Sequence, residues 1–494
     1  MTQGAPVGAG AIAPDGAQPA QTATVGSAAK PQQKPQSSNR PEQVAGLALS
    51  QGTLQVANGA RWIKAGKLSR YPIELSELIH QEGVVDLAFD GEQFAYLNGV
   101  RGALTSEKDG TSWSYTDELV DMTRAIRPSK DGKSLEITSS TKFKGERPKF
   151  AFFSVAATGR KEDADAQDQQ LLYFSDSSLN RVALSEAVAT KEVLTPVQWI
   201  GVQNRYFLLA LLGDPSAVSK GLVLPASGAS AEPSGRVSLV YPVSGDSFVA
   251  HLKLYFGPKE LQSLRSVDPS LDHAVDLGWF TFVAYPLLRA MQWFYALFGN
   301  YGIAIILLTL LVKLVTAPLT YKSMKSMKQM AKLQPQIQKL KEKYGDNKEA
   351  LNQEMMTLMR TGGYNPAAGC LPILVQMPVF FALYRVLYSS IELYQAPFAL
   401  WIRDLSAKDP YYVTPIILTG VMYIQQKLTP NTATDPAQAK MMQFMPVIFG
   451  LMMVSLPAGL TLYMLVNALA SIAQQAWMNR RLGNDGPATA RASV

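Results

Sequence analysis

The stretch IAIILLTLLVKLVTAPLTYKSMKSMK, residues 303–328, decides the architecture. With its neighbours, its apolar half is long enough to cross a bilayer as a helix, for which about 20 residues at 1.5 Å each are needed. The other half is crowded with lysines. One of them, Lys313, sits well inside the apolar run. Such a charge costs about 2.5–3.5 kcal/mol on insertion, while each leucine or isoleucine contributes roughly 0.3–0.6 kcal/mol in the opposite sense. The surrounding leucines can offset it. Counted back from Tyr321, Lys313 lies roughly 12 Å inside, so its stem can lift the ammonium part of the way out.

The residues that share its face argue for more than snorkelling. Thr309, Lys313, Thr316 and Thr320 recur at i, i+4, i+7 and i+11, one side of one helix. A second polar stripe, Tyr463, Asn467, Ser471 and Gln474, runs along the last apolar segment. Stripes of this kind serve either as hydrogen-bond glue between helices or as the lining of a hydrated groove around an ionisable residue. Spacing alone leaves both open.

Outward from this segment the 494-residue chain divides sharply. Residues 1–44, rich in Ala, Gln, Gly, Pro and Ser, carry too little apolar surface to offset ordering entropy and are expected to form a disordered tether. Residues 45–268 contain SLEITSSTKF (134–143), GRVSLVYPVSG (235–245) and SFVAHLKLYF (247–256), whose period-2 alternation predicts a large antiparallel β-sandwich. VQWIGVQNRYFLLALL, at 197–212, fits either a buried strand pair or a helix. Residues 269–299 carry Trp279, Tyr285, Trp293 and Tyr295 around Arg289, the pattern of an amphipathic helix in the membrane interface.

Residues 300–480 are expected to hold five transmembrane helices, near 301–321, 367–388, 411–426, 441–456 and 458–477. Between the first two, residues 322–363 hold nine Lys/Arg against four acids. The positive-inside rule makes that segment cytoplasmic, along with the tail 481–494, and sets the sandwich outside the cytoplasm. Such a topology needs an export signal. No apolar h-region occurs within residues 1–44, so either an upstream signal-anchor helix or an earlier start is expected. Within 322–363, Met330, Leu333, Ile337, Leu340 and Tyr344 keep helical spacing, Gly345-Asp346-Asn347 breaks it, and Leu351, Met355 and Leu358 resume it. This is a helical hairpin. Met327, Met330 and Met355 offer an adaptable apolar surface for varied segments, or else fill an ordinary hairpin seam.

Enzymatic and metal chemistry find little support. His80, His251 and His273 lack metal-ligand spacing, and neither a phosphate-binding Gly-rich loop nor a G-x-S-x-G elbow occurs. No cofactor is expected. The net charge of +7 gathers in polar loops beside apolar segments, which points to membrane topology and away from DNA. Cys370 is the single cysteine and reads as a packing residue. Pro372 and Pro378 each remove a helix hydrogen bond, and Gln376 between them points to polar or wet surroundings.

Four stretches carry a resemblance: LQPQIQKLKEKYGDNKEALNQEMM (333–356), NPAAGCLPILVQMPVFFALY (365–384), QAPFALWIRDLSAKDPYY (395–412) and FMPVIFGLMMVSLPAGLTLYMLVNALASIAQQ (444–475). The chain resembles the YidC family of membrane-protein insertases over nearly all of residues 277–480, and the strand-rich part resembles the large periplasmic domain of Gram-negative members. The resemblance implies a multi-pass protein of the bacterial inner membrane, with its N-terminal domain periplasmic and its C-terminus cytoplasmic. It also implies a five-helix core whose hydrophilic groove, open to cytoplasm and lipid, receives hydrophobic segments without nucleotide hydrolysis. Implied partners are nascent membrane proteins, the Sec translocon, the ribosome and membrane lipids. The groove cation of the family is usually arginine, and Lys313 takes the matching position. In the LYxxV motif (Leu462 to Val466), Met464 stands where relatives often carry a second aromatic, and Gram-negative relatives begin with a signal-anchor helix.

The function expected is therefore an insertase and chaperone, with Lys313, Thr309, Thr316, Gln376, Tyr463 and Asn467 in the groove and the three hairpin methionines as contacts. Two alternatives remain: a secondary transporter that uses Lys313 as a coupling site, and a sandwich that binds sugar or peptide with the helices as its anchor.

Overall fold

The computed structural model describes residues 40–59, 62–71, 73–79, 85–159, 169–187, 189–225, 234–345, 347–361, 366–428 and 436–481. Most of the expected tether, the expected tail and His80 lie outside the described residues.

Alternating burial builds the N-terminal half. Strands β1 (Val44–Leu49), β2 (Gly52–Ala57) and β3 (Ile63–Leu68) form a small antiparallel sheet. After α1 (Leu75–Ile79) come β4 (Val85–Phe89), β5 (Ala103–Glu107), β6 (Gly110–Thr116), β7 (Val120–Pro128), β8 (Ser134–Phe143) and β9 (Phe150–Thr158). Then follow β10 (Gln170–Ser175), β11 (Ser178–Ala183), β12 (Lys191–Val193), β13 (Val197–Gln203) and β14 (Phe207–Leu212). β15 (Lys220–Pro225), β16 (Ser234–Pro242) and β17 (Ser247–Pro258) complete the set.

Nine strands pair in the order β11-β10-β13-β14-β17-β8-β7-β6-β5 and five in the order β12-β15-β16-β9-β4. The facing sides of these two sheets share one core, in which Phe153, Val155 and Leu239 meet Ile200, Leu209 and Leu254. This sandwich matches the sequence expectation, with residues of one parity turned inward.

The ambiguous run at 197–212 is a strand pair. Asn204 Oδ1 accepts from the amides of Tyr206 and Phe207 at 2.9 and 2.8 Å and so turns the chain. Its apolar residues do not alternate because both faces are covered. Ile200 and Leu209 face the sandwich core, while Trp199, Leu208 and Ala210 lie under α2 (Leu261–Val267) and the 3-10 turn Pro269–Ala274. Residues 269–274 therefore sit on the sandwich and not in the amphipathic helix. Leu271 and Ala274 complete the apolar cover, and Ser270 Oγ accepts from Trp199 Nε1 at 3.0 Å. The helix itself, α3, spans Thr281–Phe298.

Helix α4 (Tyr301–Tyr344) joins the first expected span and the first hairpin arm into one 44-residue element. Pro318 and Pro335 each delete one backbone bond without ending it, because the turns on either side stay bonded. Next come α5 (Lys348–Thr361), α6 (Pro366–Ser389), α7 (Val413–Leu428), α8 (Pro436–Met453) and α9 (Ala458–Arg481). α5 folds back along α4. Among the described residues one helical segment, Tyr301–Ser326, is long and apolar enough to cross a membrane, where five were expected. α7 has 16 residues and reaches about 24 Å.

Residues 388–394 tie the halves together. Ile391, just after α6, enters the sandwich core, and Tyr394 meets Tyr71, Tyr206 and Phe207 with ring centroids 6.0, 5.0 and 5.5 Å apart. Arg205 Nε donates to the Tyr388 carbonyl at 2.7 Å while its guanidinium lies 3.5 Å from the centre of the Tyr388 ring.

Candidate functional site

The helical half is closed at the end nearest the sandwich. The loop 390–412 seals it by backbone bonds: Ala458 N donates to Ala407 O at 2.7 Å and Gly459 N to Leu405 O at 2.8 Å. Asn300 caps α4 by accepting from Ile303 N at 3.1 Å and donates to Phe398 O at 2.9 Å. Asp409 accepts from Thr414 N and Thr414 Oγ1, both at 2.7 Å, and from Trp401 Nε1 at 3.0 Å. Burial raises the Asp409 pKa, but these donors and Tyr411 N outweigh it and leave the carboxyl below its ordinary value.

Packing then loosens along the helices. In α4 the buried residues Ala304, Ile305, Leu308 and Thr309 give way to Leu314 and Val315, 72% and 71% exposed. In α9, Leu460, Thr461, Leu462 and Tyr463 are buried and Met464 to Asn467 are half-buried. Exposed Ile416, Val447, Ile448 and Leu451 extend the apolar surface over α7 and α8. Apolar exposure on this scale is disfavoured in water and suits lipid.

Lys313 stands at this transition. Its Nζ donates to Ser471 Oγ at 2.7 Å, and that hydroxyl in turn donates to Asn467 O at 2.8 Å. The two polar stripes therefore meet, α4 supplying the ammonium and α9 its acceptor. From α6, half-buried Gln376 brings its side chain beside that of the buried Tyr463. The threonines do something else. Thr309, Thr316 and Thr320 bond the carbonyls of Ile305, Val312 and Thr316 in their own helix, at 2.7, 2.9 and 3.0 Å. Thr309 is 1% exposed in the packed half, whereas Thr316 is half-buried beyond Lys313. The expected continuous polar face is thus interrupted, because threonine satisfies itself locally and lysine must reach out.

Met355 is half-buried on α5, and Ile337 is buried within the hairpin. The side chains of Met327, Met330 and Cys370 lie outside the described residues. Sequence reading missed Gln475, buried on α9, whose Nε2 donates to Leu428 O of α7 at 2.7 Å. Strict i+4 continuation from Tyr463 through Asn467 and Ser471 lands on it, whereas the i+11 position of the polar stripe is Gln474, which is half-buried. It missed Arg205 and Tyr388 too, since neither belongs to a motif. Among the described residues no group of three or more metal-ligating side chains occurs.

A family model described as "60Kd inner membrane protein" matches residues 293–485, which hold Lys313, Gln376, Tyr463 and Ser471. A second, "YidC periplasmic domain", matches residues 140–290. The membrane protein insertase YidC of Oleidesulfovibrio alaskensis is 39% identical over 427 residues, covering 84% of this chain and 75% of that protein. The chain belongs to the YidC family. The YidC of Geobacter metallireducens is 44% identical over 309 residues, 63% of this chain and 58% of that relative. With the YidC of Geotalea daltonii identity is 46%, over 60% of this chain and 56% of that protein. The chain thus spans less than two thirds of the length of these two YidC relatives. A crystal structure of an active YidC insertase with its first transmembrane domain resolved aligns over 88% of this chain and 92% of that one, at 22% identity and a TM-score of 0.39. The match of residues 293–485 to the "60Kd inner membrane protein" model marks the helical half as that of an inner membrane protein.

Proposed function

We propose that this chain inserts and helps fold integral membrane proteins, alone or with the Sec translocon, through a hydrophilic groove between α4, α6 and α9. The observation that carries the reading is the Lys313–Ser471 bond, a charge held at the point where tight packing gives way to loosely covered, lipid-suited helices. Tyr463 with Gln376 and the buried Thr309 form the groove's closed floor; Lys313, Thr316 and Asn467 line its open part. An ammonium with three donors spends one on Ser471 among the described residues and has two more for an acidic residue of an incoming polar segment. Water around it shortens the apolar path that segment must cross. None of these steps calls for a nucleotide.

Five membrane crossings, α4, α6, α7, α8 and α9, with the sandwich periplasmic and the hairpin cytoplasmic, complete the proposal. Supporting it, the apolar segment Tyr301–Ser326 separates the sandwich end from the hairpin end by about 39 Å of helix. The hairpin, with Met327, Met330 and Met355 and its excess of lysine, meets nascent chains, ribosome and anionic lipid on the cytoplasmic side. Insertion of a single-span client by purified full chain in liposomes tests the function. Protease protection of the client equal to that in protein-free liposomes would overturn it.

A further inference from the structure

At the junction of sandwich and α3 lies a cleft of about 360 Å³, lined by Arg181 of β11, Arg265 of α2, Asp272, Asp276, Gly278 and the first turn of α3. Two arginines line it, and two more guanidinium groups touch its lining residues. Arg181 donates to His273 O at 2.8 Å, and Arg265 pairs with Asp272 at 2.8 Å and donates to Tyr285 OH at 3.3 Å. Arg289 lies 5.2 Å from the Tyr285 ring centre, and Arg385 of α6 reaches Asp276 at 3.3 Å and closes over Gly278. Two carboxylates face these four cations. Burial lowers the Arg181 pKa, Asp276 opposes that shift and the like charge of Arg385 adds to it.

Two further features point the same way. The N-terminus of the 18-residue α3 opens here with no side-chain cap and no acid in its first turn, so its amides and dipole favour an anion. Beside it Trp279 and Phe282 are 97% and 74% exposed, an aromatic pair of the kind that anchors at the headgroup level of a bilayer. Guanidinium forks match phosphate oxygens in planar, bidentate fashion.

From the meeting of an arginine-lined cleft, an uncapped helix start and exposed aromatics we infer a phosphate-binding site that takes the headgroup of an anionic phospholipid from the periplasmic leaflet. It rests on the proposed periplasmic placement of the sandwich and on the expected seat of α3 in the membrane interface.

The test uses the full chain, purified in detergent with mixed phosphatidylglycerol and phosphatidylcholine, with retained lipid counted by mass spectrometry. Arg181→Gln combined with Arg385→Gln should retain about tenfold less phosphatidylglycerol, with phosphatidylcholine unchanged. Asp272→Asn, which removes an opposing charge, should retain more, an increase that misfolding cannot produce. Arg147→Gln, whose guanidinium pairs with Asp246 elsewhere on the sandwich, is the control and should match the parent. Equal phosphatidylglycerol retention by parent, double variant and Asp272→Asn overturns the site. Displacement of the retained lipid signal by glycerol 3-phosphate alone, at equal concentration, assigns the cleft to free phosphates and overturns the lipid source. Flotation of the parent with phosphatidylcholine vesicles separates the two layers: no flotation removes the membrane reading itself, whereas flotation without phosphatidylglycerol preference removes only this site.

Discussion

Lys313 and Ser471, 158 positions apart, are joined by a hydrogen bond of 2.7 Å from ammonium to hydroxyl. The bond draws α4 to α9 and fixes where the charge stands. Arginine keeps the charge and adds a longer fork, so Lys313→Arg should retain insertion, whereas Lys313→Met should impair it most for clients with acidic translocated segments. Parallel insertion of an acidic client and its neutral variant measures this. If Lys313→Met inserts both as well as the parent does, the charge has no role in the proposed groove.

Ser471→Ala removes the acceptor while leaving the ammonium. A lost hydrogen bond to a charged group is worth about 1.5–3 kcal/mol, and the freed lysine is expected to lift toward the cytoplasmic interface. Insertion of acidic clients should fall by less than in Lys313→Met. A spin label on α9 reports whether the α4–α9 spacing has widened; unchanged spacing together with unchanged insertion removes the positioning role of Ser471.

Gly302 approaches the Phe398 ring so closely that an added Cβ would stand 1.9 Å from it. Gly302→Ala should therefore destabilise the closed end by about 1–3 kcal/mol, the usual cost of overpacking. Phe398→Leu in the same chain should recover part of that loss. Thermal unfolding of the two single variants and the double variant reads the coupling, and simple additivity would show that the two residues do not compete for space.

Glu392 lies between the two halves and accepts from Gln292 Nε2 at 2.7 Å. Burial raises its pKa above the ordinary 4.5, with the Gln292 bond opposing. A carboxyl raised by folding stabilises the native state while protonated, and that contribution is lost as pH climbs from the unfolded value through the folded one. Glu392→Gln should therefore raise the unfolding temperature and flatten its dependence on pH above about 4.5, the ordinary value from which the folded pKa is raised. A parent whose stability rises with pH across that window, with Glu392→Gln unchanged from it, contradicts the assignment.

Tyr394 ties the halves by packing on Tyr71, Tyr206 and Phe207. Truncation of a large aromatic at a packed junction costs about 3–5 kcal/mol, so Tyr394→Ala should loosen sandwich from helices. Hydrogen exchange at residues 205–207 should rise in this variant while β7 and β8 stay protected.

The sequence by itself determined the two-part architecture, because strand and helix periods are local properties that neighbouring residues print directly: the alternation of β8 and β17, the apolar run of α4, and the i+4 spacing of Tyr463, Asn467 and Ser471. It also placed Lys313 as the anomalous charge, since an ammonium among leucines stands out whatever surrounds the helix. Only the tertiary structure decided that Ser471 receives that ammonium, that Gln475 and not Gln474 is the buried glutamine bonded across to α7, and that Thr309 turns to its own backbone in the packed half. It also decided that residues 269–274 seat on the sandwich and that β13 and β14 are covered on both faces. Each of these depends on which elements lie side by side and at what rotation, and a partner many positions away leaves no mark in the local period. Pro318 shows the same limit from the other side: the residue that most strongly signals a helix break lies within an unbroken α4, held by the turns on either side of it.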